Sequence, residues 1–469
     1  MLGEEVLYLS VSELGARIRS RRLSPVELTE SYLDRIHRHA PKLNAFATVT
    51  PDLARGQARA AECEIEKGHY RGPLHGIPYG AKDLLATAGI RTTWGAHPTR
   101  NQTFDTDATV IRKLREAGAV LLGKLAMVEF AGCLGYRFAD ASLQGPGRNP
   151  WDPERWTGGS SSGSGAAVAS ALVGFAIGTE TWGSILCPSA FCGVTGLRPT
   201  YGRVSRAGGM VGAYTFDKIG PMARSAEDCR LVLQAIAGPD PDDPSAAEEP
   251  VRPDRARVDI GRLRGALIPL DFAKTKGAEP EVKSAFDRAA AELKSAGLKL
   301  EEAALPEFPA SEMASLIINA EALSTFENFY KNGGVWELRD SYAPYQREIT
   351  RALEGADLVK SWRMRTVLQE KMADFFSRYD VIVTPNFMSV APSIQGDLNK
   401  ALPYTDPVGA VGNSCGYPSI ALPCGFGRER MPVGFQIMGS AFEEPLLLEL
   451  GRLYQSRTGF HRERPPLFA

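Results

Sequence analysis

The chain has 469 residues, 43% of them hydrophobic and 23% charged, with 54 basic residues against 55 acidic ones. That balance supports a large buried core and excludes a disordered or fibrous protein. With net charge near zero and no basic stripe interleaved with aromatics, the electrostatic footprint of a nucleic-acid binder is missing as well.

No apolar run approaches the roughly 20 residues needed to span a bilayer, so no membrane partner is expected. Met1 to Val6 carries two glutamates and neither the basic nor the apolar stretch of a secretory signal. The seven cysteines, Cys63, Cys133, Cys187, Cys192, Cys229, Cys415 and Cys424, are scattered and form no C-x-x-C pair. Reduced thiols and a cytoplasmic location follow as expectations. Length permits two or three domains of about 100 to 200 residues, but large α/β enzymes exceed that figure as one unit. The expectation is one catalytic unit over 1–469: a helical scaffold at 1–70, a chemical core at 72–235, a variable, largely helical substrate region at 240–378, and the rest of the core at 379–469.

The N-terminal stretch reads as helical. Its second helix starts at Ser24-Pro25-Val26-Glu27, which supplies an N-cap serine, a proline at the first helical position and a capping-box glutamate. Leu28, Tyr32, Leu33 and Ile36 follow at helical spacing. From 72 to 235 glycine, serine and alanine dominate, and apolar runs such as 119–122 and 171–177 fall between turn signals. Alternating strands and helices, and hence an α/β fold, suit this pattern. Residues 238–256 make a polar, proline-rich loop. The stretch 263–270 reads as a strand, 280–296 as an amphipathic helix, and 310–378 as mostly helices with scattered aromatics. Residues 379–385 and 418–423 read as buried strands that end at prolines.

The most unusual stretch is GGSSSGSG at 158–165, which runs directly into an alanine-rich helix. A Gly-Ser cluster before a helix can present N–H groups and hydroxyls to an anion or an acyl oxygen. A flexible linker rarely leads straight into an apolar helix. A phosphate loop needs a lysine after its glycines, where this chain has Ala166 and Ala167. The run also satisfies G-x-S-x-G, with Ser161 as nucleophile, but that elbow requires a histidine base late in the chain. Of His37, His39, His69, His75, His97 and His461, only His461 follows the motif, and its place near the C-terminus beside Arg462 and Arg464 suggests the surface.

Without histidine, a serine can be activated by a lysine held neutral through burial. Lys82, after the glycine-bearing apolar run of HGIPYGAKD, is the candidate. A structural lysine paired with Asp83 is the competing reading. No set of histidines and acids stands at metal-ligand spacing, and no cofactor motif is present, so neither a metal nor a cofactor is expected.

HGIPYGAKD at 75–83, AVLLGKLAMVEFA at 119–131, NPWDPERWTGGSSSGSGAAVA at 149–169 and GTETWGSILCPSAFCGVTGLRPTYGRVS at 178–205 resemble the amidase signature family. The resemblance continues through DKIGPMARSAED at 217–228, YDVIVTP at 379–385 and GYPSIALPCG at 416–425, and is weakest over 240–378. It implies a central, mixed, twisted β-sheet covered by α-helices on both faces. It also implies a Ser-cisSer-Lys triad, with Lys82 as base, Ser160 as the bridging serine after a cis peptide, and Ser184 as nucleophile. Backbone N–H groups of Thr181, Trp182, Gly183 and Ser184 would hold the oxyanion, and an acyl-enzyme would form.

Three positions depart from the family pattern G-T-D-T-G-G-S-I-R: Glu180 replaces aspartate, Trp182 a glycine and Leu186 the arginine. The Trp182 indole must lie either at the acyl pocket or in the core. The family's glutaminase subunits bind an α-amino group through an aspartate seven residues before an asparagine, which Asp406 and Asn413 match, with Arg347 or Arg351 as candidate carboxylate partner. The reading placed first is a free-standing amidase, a monomer or homodimer, acting on a small-molecule amide, ester or carbamate, urethanes included. Ser161, Trp182 and Asp406 are its candidate substrate contacts. Phe326, Phe329, Tyr330, Trp336, Tyr342, Tyr345 and Trp362 suggest an apolar substrate lid, against ordinary helix packing. A glutaminase subunit ranks second. A non-catalytic module on the same fold ranks third, and retention of all three triad residues argues against it.

Overall fold

Short runs of β-branched and small apolar residues between glycine and proline turns produce strands that, when buried on both faces, demand cover from both sides. A computed structural model describes residues 2–250, 259–402 and 406–468. Among them, eleven strands form one sheet: β1 (Phe46–Val49), β2 (Pro78–Lys82), β3 (Val120–Leu125), β4 (Phe175–Glu180), β5 (Thr195–Arg198), β6 (Lys218–Ala223), β7 (Arg264–Leu267), β8 (Lys299–Glu302), β9 (Val381–Pro385), β10 (Ser419–Phe426) and β11 (Pro432–Gly439). Their order across the sheet is β1-β3-β2-β4-β6-β5-β10-β11-β9-β7-β8.

β2 runs parallel to both β3 and β4. The middle of the sheet, from β4 through β6, β5, β10 and β11 to β9, is antiparallel. β7 and β8 close the far edge in parallel register. The sheet is therefore mixed, with helices on both faces, as the resemblance implies. β2, β3, β4, β6, β9 and β11 are buried at every position.

Helix Pro25–Leu43 starts where its sequence indicates, with the Ser24 hydroxyl accepting the N–H groups of Val26 and Glu27 at 3.1 Å each. The complete reciprocal capping box lies one helix earlier, between Ser10 and Glu13 ahead of Val11–Arg19. Helix Ser162–Ala169 begins inside the Gly-Ser run and is buried throughout. Glycine is what admits it: a Cβ on Gly163 would stand 2.3 Å from the Ala45 carbonyl oxygen, and one on Gly165 2.9 Å from that of Pro188. The run is packed structure and not a linker.

Two strands differ from their expected limits. β7 spans only Arg264–Leu267. β10 continues past Pro423 to Phe426, because the register against β11 slips between Pro423 and Gly425 and a bulge absorbs the missing N–H. Residues 238–250 are irregular, as expected, and 251–256 of the polar loop lie outside the described residues. Helices Ala310–Thr325, Glu327–Lys331, Ala343–Arg351 and Gly355–Arg378 occupy most of 310–378. No described helix is long and apolar enough to cross a membrane.

Candidate active site

β2 delivers Lys82 at its C-terminal end, beside the parallel strand β4, which runs on into the turn 181–185 and helix Leu186–Cys192. Lys82 is wholly buried. Its Nζ donates to Ser160 Oγ at 2.7 Å and to Thr179 Oγ1 at 2.8 Å, and Ser160 Oγ donates to Ser184 Oγ at 2.9 Å. The Gly159–Ser160 peptide is cis. Burial pulls the Lys82 ammonium down from 10.5 to about 7, against the opposing influence of Cys133, Asp217 and Glu180. A neutral amine is therefore available near neutrality, and reversing both hydrogen bonds gives a proton path from Ser184 through Ser160 to Lys82. The competing reading of Lys82 fails, since Asp83 accepts the Thr93 N–H at 3.0 Å and faces Lys124 at 3.7 Å.

The Ser184 turn is held from below by a buried carboxylate. Glu180 Oε2 accepts the N–H groups of Ile185 and Leu186 at 2.9 and 3.0 Å, while Oε1 takes Arg198 at 3.0 Å and the Asn413 amide at 3.3 Å. Burial alone would raise this carboxyl, but Arg198, Lys218 and the two amides outweigh it and hold it below its ordinary value. With Glu180 occupying two amides, those of Thr181, Trp182, Gly183 and Ser184 have no acceptor among the described residues. Gly183 has φ of +82°, and a Cβ there would meet nothing within 4 Å, so the turn opens onto free space.

That space is a cavity of about 450 Å³, with Ser184 and Gly183 in its wall. Trp182 and Asp406 also line it. Trp182 is half-buried with Nε1 against Gly409, which places the indole at the pocket and not in the core. Asp406 Oδ1 accepts from Val408 N at 3.1 Å and from Gln436, whereas Oδ2 is buried without a partner. Burial lifts the Asp406 carboxyl to about 6, with Arg198 pulling the other way.

The family model for amidases matches residues 27–448. The chain belongs to the amidase family. It is 38% identical to the A subunit of a glutamyl-tRNA(Gln) amidotransferase from Moorella thermoacetica over 99% of each chain, and 36% identical to a putative amidase of Mycobacterium tuberculosis over 99% of this chain and 97% of that one. The native peptide amidase of Stenotrophomonas maltophilia superposes with a TM-score of 0.83 at 32% identity, covering 97% of this chain and 98% of that one. The protein is an amide-cleaving hydrolase.

Other candidates fall elsewhere in this amidase. Ser161 does not line the cavity: it is fully buried, its Oγ donating to Thr179 O at 3.2 Å and accepting Thr179 N at 3.3 Å. It therefore braces β4. His461 lies in a separate hollow with Tyr8 and Arg224. Arg351 is exposed, and the Arg347 side chain lies outside the described residues. The Asn413 amide nitrogen donates to Glu180 and to the Gly409 carbonyl, while its buried Oδ1 has no partner among the described residues.

The expected aromatic lid is absent from the cavity wall. Phe326 and Phe329 pack on Phe130 with ring centroids 5.1 and 4.7 Å apart, and Trp336, Tyr345 and Trp362 are exposed. The helical region instead contributes Ser311, Ser315, Ile318 and Asn319. Their i, i+4, i+7, i+8 spacing on helix Ala310–Thr325 is the signal that could have found them.

Proposed function

We propose that this amidase hydrolyses small carboxamides through a Lys82–Ser160–Ser184 relay. The observation that carries the proposal is the unbroken chain of 2.7 and 2.9 Å contacts from a buried amine to a hydroxyl at the cavity wall. Neutral Lys82 takes the Ser160 proton as Ser160 takes that of Ser184, and Ser184 Oγ attacks the carbonyl carbon. The carbonyl electron pair moves onto oxygen, where the free amides of the 181–184 turn receive it, each worth roughly 2.7 to 4 kcal/mol. Collapse breaks the C–N bond, and the departing nitrogen takes a proton from Ser160, which is resupplied by the Lys82 ammonium. Water then attacks the acyl-enzyme ester, gives its proton to the same relay, and frees the acid and Ser184. Esters and carbamates enter the same cycle with a different leaving group.

Asp406 is the only charged residue among the described residues lining the cavity, and no arginine, lysine or histidine accompanies it. The acyl half is therefore neutral or bears an ammonium or N–H donor for Asp406 Oδ2. An ammonium-bearing substrate should show KM rising below pH 6, where Asp406 protonates, and Asp406→Asn should abolish that rise. A pH-independent KM would remove Asp406 from the binding site. The free thiols of the described cysteines support a cytoplasmic setting.

A glutaminase subunit is the second reading, favoured by the 38% identity to amidotransferase A subunits and by the unpartnered Asp406 oxygen. Against it, glutamine's α-carboxylate would find no cation in the described lining. Amine release from glutamine, an aliphatic carboxamide, a nitroanilide and an aryl carbamate, with wild type and Ser184→Ala, decides. Ser184-dependent turnover of the last three supports the free-standing enzyme. Turnover of glutamine alone, or only with an added partner protein, reverses the ranking. A chain that also fails to label with a fluorophosphonate would be a non-catalytic module.

A further inference from the structure

We infer that the amine half of the substrate carries an aromatic ring, seated against Tyr136, Trp156 and Phe387 on the Ser160 side of the cavity. The inference rests on the proposed relay, which fixes where the departing nitrogen must lie. In that relay the nitrogen takes its proton from Ser160 Oγ, while the carbonyl oxygen faces the amides of the 181–184 turn. The two halves of the substrate therefore leave Ser184 in different directions.

On the Ser160 side the wall begins at Gly159. A Cβ on Gly159 would stand 2.9 Å from the Trp156 ring and 3.5 Å from Tyr136 Oη, so the Trp156 ring and the Tyr136 hydroxyl lie beside the peptide that carries Ser160. Their centroids are 6.2 Å apart at an interplanar angle of 60°. Phe191 packs behind them, 6.4 Å from Trp156 and 4.7 Å from Phe387, which also reaches the cavity. Trp156 is buried and rigidly backed, whereas Tyr136 is half-buried with one flank on the cavity. Cys187, whose thiol burial pushes up to about 12, adds an uncharged sulfur to this side. Elsewhere in the lining Asp406, Ser311, Ser315 and Asn319 offer hydrogen bonds.

A primary amide releases ammonia, which would leave the aromatic wall facing water. A ring on the nitrogen covers it, at distances where offset and edge contacts form.

N-allyl and N-benzyl amides of one small acid share an acyl group and release amines of similar basicity, so their kcat/KM ratio isolates the ring. Wild type should favour the N-benzyl amide by on the order of tenfold or more, the worth of one ring moved from water onto an apolar wall. Tyr136→Ala should pull the ratio toward one, as should Phe387→Leu, which keeps apolar bulk if the first variant folds poorly. Equal values in wild type, or a ratio unmoved in both variants, overturn the inference. Turnover that survives Ser184→Ala overturns the relay instead. Where turnover is too slow to compare, equilibrium binding of the two amides to Ser184→Ala decides: tighter N-benzyl binding supports the ring site, and equal binding removes it.

Discussion

The segment from Gly158 to Leu186 and the helical stretch 310–378 border the same cavity but follow opposite rules. In the first, serines are buried and hydrogen-bonded: Ser160 to its two relay partners, Ser161 to β4, Ser164 to the Ile177 carbonyl, and Ser170 back to Ala166. A buried polar group left unpaired costs about 1 to 3 kcal/mol, so each residue there is constrained by several neighbours at once. In the second, large apolar side chains face solvent, with Trp336 70% exposed, Tyr345 60% and Trp362 43%. The buried serines are thus fixed by their hydrogen-bond partners, whereas the exposed aromatics of the helical stretch lie away from the cavity lining.

Ser184→Ala should reduce kcat by on the order of 10⁴-fold or more, the loss expected when a nucleophile that works as part of a unit is removed. A variant within tenfold of wild type would show that the buried serine chain does no chemistry. Glu180→Ala removes the carboxylate that holds the nucleophile turn and strands Arg198 in the interior. It should cost about 3 to 5 kcal/mol in denaturant unfolding, and an unchanged midpoint would mean that the turn holds itself.

The next effect is read with pH. Only neutral Lys82 accepts a proton, so kcat/KM should fall about tenfold per unit below pH 7 and level off above it. The same depression acts on stability. Between about 7 and 10.5 the unfolded chain binds a proton at this lysine that the folded chain does not, so stability from this residue rises with pH across that window. Its destabilising effect is complete below 7 and gone above 10.5. A flat rate profile from pH 5 to 9 would remove Lys82 as the base. Smallest of all, Trp336→Ala should shift stability by no more than about 0.5 kcal/mol and leave kcat/KM within twofold. A larger loss of activity would restore the lid that the exposed aromatics first suggested.

The fold class, and the segments that bring Lys82, Ser160 and Ser184 into one hydrogen-bond chain, were legible because their residues carry tight, local constraints. Lys82, Ser160 and Ser184 sit in segments where almost every neighbour is dictated by packing or hydrogen bonding, and such segments spell themselves out. Trp182 was legible as unusual but not in its direction, since Gly409, whose backbone it meets, lies far along the chain. The placement of Ser161 was not legible, because it depends on both backbone groups of Thr179, a cross-element contact with no local signature. The wall residues Ser311 to Asn319 were missed for the opposite reason: a small polar stripe on one helix face, with Ser311 and Ser315 exposed, resembles any solvated face. The bulge after Pro423 shows the same limit, as the proline ends one hydrogen-bond register but not the strand.

Helix Ala310–Thr325 gives the pocket four side chains yet donates nothing to the Lys82–Ser160–Ser184 chain. Part of the pocket lining is therefore carried on a piece of polypeptide separate from that hydrogen-bond chain. Ser311, Ser315, Ile318 and Asn319 can be randomised together in a library without touching the nucleophile, and descendants of one ancestor could change diet by rewriting a single helix face.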